Sequence, residues 1–106
     1  MRALVTGGLG FVGQHLVAHL RASGDHVDVI DRQGDAAVDI TDAAAVQATI
    51  RRSEPDAVYH LAGWADVGGS WQHPVEAFRA NAEGTLNVLL ACAEGDPTLH
   101  VFAATL

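Results

Sequence analysis

Three glycines, Gly7, Gly10 and Gly13, recur at a spacing of three within "TGGLGFVG" (residues 6–13). Glycine has no Cβ, so a turn built from it lets backbone approach a phosphate closely, and a helix that follows aims its free amides at the charge. Asp31 lies 21 residues past Gly10, at the end of the alternating run "HVDVID" (26–31). An acid ~20 residues beyond such a turn suits hydrogen bonding to ribose hydroxyls. Together the two features point to a bound dinucleotide, with a merely tight turn as the plain alternative. His15 and His19, four apart on a helical stretch, have the spacing of a metal pair, but no third ligand supports them and they read better as surface residues. His60 is as readable as a strand-end structural histidine as it is as a functional one. Trp64 and Trp71 flank a glycine loop and either pack under a ligand or cap the core. Cys92, the one cysteine, sits among apolar residues as inert core, and Ser70 lacks the Gly-x-Ser-x-Gly elbow of a hydrolase.

The elements that must position these groups alternate. Apolar runs at 2–6 ("RALVT"), 26–31, 36–40 ("AAVDI"), 56–63 ("DAVYHLAG") and 99–105 ("LHVFAAT") read as strands. Helices are expected over 11–24, 41–55 and 74–95. Their apolar stripes read as Val12, Leu16 and Leu20; Ala43, Val46 and Ile50; and Phe78, Ala82, Leu86 and Leu89. The order β-α-β-β-α-β-α-β implies crossover connections and a mostly parallel sheet, covered on both faces and ending after a fifth strand. A flavodoxin-like α/β domain without a nucleotide is the bland alternative, and the glycine placement argues against it. The 106 residues make one small domain, and 49% apolar content supports a packed core. A net charge of −7 argues against nucleic acid and anionic membranes as partners. A small anion therefore needs local help from backbone amides. No secretory signal and no apolar run of ~18 residues is visible, which makes a cytoplasmic protein the expectation.

"TGGLGFVG" resembles the signature of the extended short-chain dehydrogenases/reductases, the sugar-nucleotide epimerase/dehydratase family. "VDITD" (38–42), "VYHLAGWADVGGSW" (58–71) and "FRANAEGTLNVLLAC" (78–92) resemble further motifs of that family in the same order. The wording of the last two is most similar to the GDP-mannose 4,6-dehydratase and GDP-4-keto-6-deoxymannose reductase branch. The resemblance implies a three-layer Rossmann-type α/β fold with a doubly wound sheet. It implies that Gly7, Gly10, Phe11, Val12 and Gly13 cradle a pyrophosphate. It also implies that Asp31 takes the adenosine ribose, Asp39 and Ile40 touch adenine, and Leu61, Ala62 and Gly63 line the path to the nicotinamide ribose. Asn81 matches an asparagine that supports the family's proton relay, and Thr105 falls where a hydroxyl bonds the substrate's reacting oxygen. Ala104 replaces the neighbouring hydroxyl, and Leu106 departs from a polar residue. The implied cofactor is NAD, because Asp31 would repel a 2′-phosphate, although Arg32 beside it leaves NADP open. A nucleotide-sugar substrate and a homodimer of the full-length enzyme are the implied partners.

The family's chemistry also requires a Tyr-x-x-x-Lys pair, in which the lysine lowers the tyrosine's pKa. The chain has one tyrosine, Tyr59, inside an expected strand, and no lysine, its six basic residues all being arginines. It is therefore expected to be the N-terminal, cofactor-binding fragment of a longer enzyme and to lack turnover alone. A non-catalytic dinucleotide-binding or sensing module of the same fold is the alternative.

Overall fold

The computed structural model of the chain describes residues 1–34, 37–63, 71–95 and 99–103. Its central element is β1 (Arg2–Thr6), in which Leu4, Val5 and Thr6 are all fully buried. Such a strand is apolar on both sides because both sides are covered. β2 (His26–Ile30) pairs with one edge of β1 and β3 (Ala57–His60) with the other, and β4 (His100–Ala103) lies outside β3. The order is β2-β1-β3-β4 and every pairing is parallel, with Thr6 opposite both Ile30 and His60.

Parallel neighbours need crossover helices, and these distribute to the two faces. α1 (Phe11–Ala22) covers one face, packing Val17 and Leu20 against Ala3, Val5 and Val27. α2 (Ala43–Ser53) and the end of a longer helical run cover the other, where Val46, Ile50, Val88, Ala91 and Cys92 meet Leu4, Ile30 and Val58. That run comprises α3 (Pro74–Phe78), a π-helical segment (Arg79–Glu83) and α4 (Gly84–Glu94). The expected doubly wound parallel α/β architecture is thus present. α2 starts where the Asp42 side chain accepts the Ala45 amide at 3.1 Å, an N-cap bond, and ends on a left-handed Glu54 ahead of Pro55.

Three local expectations are corrected. Residues 37–40 form no strand, and four strands rather than five are present among the described residues. The reason is competition from turn bonds. The Val38 amide donates to the Asp31 carbonyl, the Asp39 carboxylate accepts from the amide and hydroxyl of Thr41, and the Asp42 amide donates to the Asp39 carbonyl. An acid that bonds its own backbone two residues on makes a turn, and the groups so used cannot join a ladder. In α1 the inward face is Gly13, Val17 and Leu20, with Val12 turned outward, and in α2 Ala43 is exposed while Ser53 is buried.

The largest correction concerns the last helix. Phe78, Leu86 and Leu89, expected inside, are 69%, 53% and 45% exposed, and Ala82 is exposed as well. The buried face carries small residues instead: Ala77, Gly84, Val88, Ala91 and Cys92. The π-helical segment bonds i to i+5, so a 3.6-residue stripe does not run through it. Size then decides which face turns inward. A Cβ on Gly84 would lie 2.5 Å from Ile40 Cδ1, so only a residue without a side chain lets the helix settle on the 37–41 turn. The inward register has a direct test by chemical denaturation. Val88→Ala should lower stability by roughly 1–3 kcal/mol, whereas Leu86→Gln, two positions away, should stay within about 0.5 kcal/mol of wild type.

Candidate nucleotide-binding site

The carboxyl ends of β1, β2 and β3 converge on one edge of the sheet, where open α/β sheets bind ligands. Gly7 leaves β1 in a left-handed conformation (φ +71°) while its amide still bonds the Ile30 carbonyl at 2.7 Å. The three glycines then serve separate demands. A Cβ on Gly7 would lie 2.9 Å from the Ala62 amide nitrogen, so the turn is pressed on the chain leaving β3. A Cβ on Gly13 would lie 2.0 Å from the Gly7 carbonyl oxygen and 2.8 Å from Gly8 Cα, so α1 is pressed on the turn. A Cβ on Gly10 would meet only the Gly7 carbonyl, at 3.3 Å. The fold therefore crowds Gly10 far less than Gly7 or Gly13, its one close neighbour being a backbone oxygen that would have to give by a few tenths of an ångström. Gly8, which the sequence reading passed over, is also constrained, its Cβ falling 2.5 Å from Val29 Cγ1.

α1 begins at Gly10 with no side-chain cap and no acid in its first turn. The amides of Phe11, Val12 and Gly13 are left without intrahelical acceptors, and the helix dipole favours an anion there. Phe11 is 83% exposed and meets the His15 ring edge-on, while His15 and His19 both lie on the surface.

Asp31 follows β2 directly and stands against the glycine turn. One carboxylate oxygen accepts the Leu9 amide at 3.0 Å and the other the Gln33 amide at 3.1 Å. Arg32 beside it is exposed. Asp39 has its carboxyl held below the usual range, first by the amide and hydroxyl of Thr41 and to a lesser extent by the charges of Arg79 and Arg32. Arg79 in turn pairs with Glu83 at 2.9 Å across one helical turn. Ile40 is buried against Gly84, and its carbonyl accepts the Asn87 side-chain amide at 2.9 Å.

Leu61, Ala62 and Gly63 leave β3 between the glycine turn and Asn81. The Leu61 and Ala62 amides both donate to Thr6 Oγ1 at 3.1 Å. A Cβ on Gly63 would lie 2.6 Å from Asn81 Oδ1. His60, 4% exposed, bonds Thr6 Oγ1 through Nδ1 at 2.7 Å and Thr85 Oγ1 through Nε2 at 2.8 Å. Burial pushes its pKa below 6.5. Thr6 and Thr85 escaped the sequence reading, yet a signal existed: a threonine and a histidine at the ends of adjacent apolar strands are polar residues in paired register. Trp64, Ser70, Ala104, Thr105 and Leu106 lie outside the described residues. Trp71 is 84% exposed, and Cys92 is buried, its thiol pKa raised by that burial.

Fold and turn together define a doubly wound α/β domain with a dinucleotide-type glycine turn. The family model for the NAD dependent epimerase/dehydratase family matches residues 3–106, and the chain belongs to that family. It is 33% identical to the UDP-glucose 4-epimerase of Halalkalibacterium halodurans over 116 aligned positions, which cover 99% of this chain and 35% of that protein. It is also 33% identical to the GDP-6-deoxy-D-talose 4-dehydrogenase of Aggregatibacter actinomycetemcomitans, over 84% of this chain and 29% of the relative. The crystal structure of Thermus thermophilus UDP-glucose 4-epimerase in complex with NAD superposes with a TM-score of 0.81 at 38% identity, covering 89% of this chain and 34% of the epimerase. The chain thus spans about a third of the length of the curated relatives it matches. Among the described residues no helix is long and apolar enough to cross a membrane.

Two outcomes follow from the geometry. Gly13→Ala should cost at least ~1–3 kcal/mol, because the added methyl overlaps the Gly7 carbonyl, and Gly10→Ala should cost markedly less. Urea unfolding of both variants separates them. The second concerns pH. His60 has a lower pKa folded than its unfolded 6.5, so its contribution to stability is complete above pH 6.5 and declines as pH falls below that value. An NMR titration should find its ring more than half neutral at pH 6.5, and the urea midpoint should fall on acidification below that point.

Proposed function

We propose that these residues bind NAD at the glycine turn and form the cofactor-binding part of a longer enzyme that moves hydride to and from a nucleotide-sugar. The observation that carries the reading is the turn itself. Gly7 and Gly13 are required by the fold, whereas Gly10 is the least crowded of the three, which leaves a ligand as the further reason for a glycine there. The uncapped start of α1 and Asp31 at the end of β2 complete a seat whose polarity suits a pyrophosphate and a ribose. The residues present therefore fit the cofactor that the family name implies.

NAD supplies reversible hydride acceptance at its nicotinamide ring when bound. The residues of this chain do the holding. The amides of Phe11, Val12 and Gly13 offer donors to the pyrophosphate, and Asp31 accepts from the ribose 2′-hydroxyl. The turn containing Asp39 and Ile40 borders the adenine end. Leu61, Ala62 and Gly63 guide the nicotinamide ribose toward Asn81, which orients the polar groups that exchange the substrate's proton. Thr105 is proposed to hydrogen-bond the substrate oxygen. A tyrosine–lysine pair for that proton transfer is not among these 106 residues, and the chain alone is expected to bind cofactor without turnover. The UDP-glucose 4-epimerases among its relatives favour 4-epimerisation of a UDP-hexose, with the GDP-deoxyhexose dehydrogenase as the ground for a GDP-sugar as second choice. Homodimerisation is proposed for the longer protein.

Calorimetric titration tests the site. Gly10→Val should still fold, at a small cost in stability, while losing NAD binding by more than about tenfold, that is by over ~1.4 kcal/mol, because the branched side chain enters the pyrophosphate's space. Wild-type affinity in a folded Gly10→Val chain would remove the glycine-turn argument. Titration with both cofactors should give tighter binding of NAD than of NADP by roughly tenfold or more, since Asp31 opposes a 2′-phosphate. The reverse order would transfer control of the adenosine end to Arg32.

A further inference from the structure

His60 is a buried titratable group whose hydrogen bonds can be assigned one direction each. A hydroxyl donates one proton and accepts two. Thr6 Oγ1 already accepts from the amides of Leu61 and Ala62, so its proton goes to His60 Nδ1. Nδ1 is then the acceptor, Nε2 carries the ring proton, and it donates to Thr85 Oγ1. Thr85 gives its own proton to the carbonyl of Asn81, at 2.7 Å, within the π-helical segment. Each bond in this chain then has one direction, the Leu61 amide being shared between Thr6 Oγ1 and the Thr6 carbonyl, and a protonated imidazole would offer Thr6 a donor where it needs an acceptor.

The bonds run from one side of the site to the other. At one end lie the Leu61 and Ala62 amides, the backbone that Gly7 is pressed against. At the other lies Asn81, whose side-chain oxygen is pressed against Gly63. β1, β3 and α4 meet nowhere else through a line of side-chain hydrogen bonds among the described residues.

We propose that Thr6, the neutral Nε2–H form of His60, and Thr85 constitute a directional hydrogen-bond relay that locks the nucleotide-facing backbone at 61–62 to the helical segment carrying Asn81, with His60 and Thr85 as positioning residues. What the relay serves rests on the nucleotide reading above; the coupling itself does not.

The experiment uses the 15N-labelled chain in solution. Long-range proton–nitrogen spectra should show His60 as the neutral Nε2–H tautomer, a measurement that needs no variant. Thr85→Val removes both hydroxyl roles at nearly constant volume. It should move the His60 ring nitrogens and the Leu61 and Ala62 backbone amides, which lie on a different element, while Thr85→Ser should return them to wild-type positions. Adding NAD should shift the amides of residues 7–13. An Nδ1–H tautomer in the wild type, or unmoved Leu61 and Ala62 amides in Thr85→Val, overturns the relay. A purely space-filling role for Thr85 predicts that second outcome. Absence of any NAD-induced shift at residues 7–13 overturns the nucleotide reading instead, and the tautomer and the Thr85→Val spectra without NAD still decide the relay.

Discussion

The backbone at Gly7 touches two other backbones at distances that leave no space for a methyl group: the Ala62 amide on one side and Gly13 of α1 on the other. Both the end of the sheet and the start of the helix depend on that approach. It sets the angle at which α1 leaves the sheet, so Val17 and Leu20 reach Val5 and Val27. The same turn is clasped by the carboxylate of Asp31 through the Leu9 amide. A turn with a side chain at Gly7 or Gly13 would separate these groups and lose core packing at the same time.

The opposite face follows a similar rule of close approach with different residues. Gly84 admits Ile40, and Ile40 secures the turn made by Asp39 and Thr41. The helix that does this keeps its small side chains inward, with Phe78, Leu86, Leu89 and Leu90 facing outward. The π-helical segment sits at the changeover. It carries Asn81 and directs that residue's carbonyl to Thr85.

The sequence was most legible where geometry leaves few choices. Runs such as "RALVT" hold consecutive apolar residues and are followed by glycine, and a strand buried on both faces is their natural form. The glycine spacing and Asp31 were legible because each residue answers a local demand. The stripe of 74–95 was not legible because spacing alone cannot see a π-helical turn, nor that Gly84 is pressed on Ile40 of the 37–41 turn. "AAVDI" was misread because the strand preference of Val38 and Ile40 lost to the hydrogen bonds of Asp39. The relay through Thr6, His60 and Thr85 joins positions 54 and 25 residues apart, so it exists only once the strands are in register.

β1 is the first strand in the chain and the middle of the sheet, with β2 and β3 on its two edges. Synthesis therefore produces the centre before its neighbours. β1 acquires its second partner only when His60 is made, 54 residues after Thr6. Its first partner is complete at Ile30, so at ~5–20 residues per second on a ribosome the stretch from Ile30 to His60 leaves it half-paired for roughly 1.5–6 s. In that interval Leu4 and Val5 are open to contact with other nascent chains and with chaperones. The parallel topology that gathers three strand ends at one edge of the sheet thus also fixes when, during translation, that edge first comes into being.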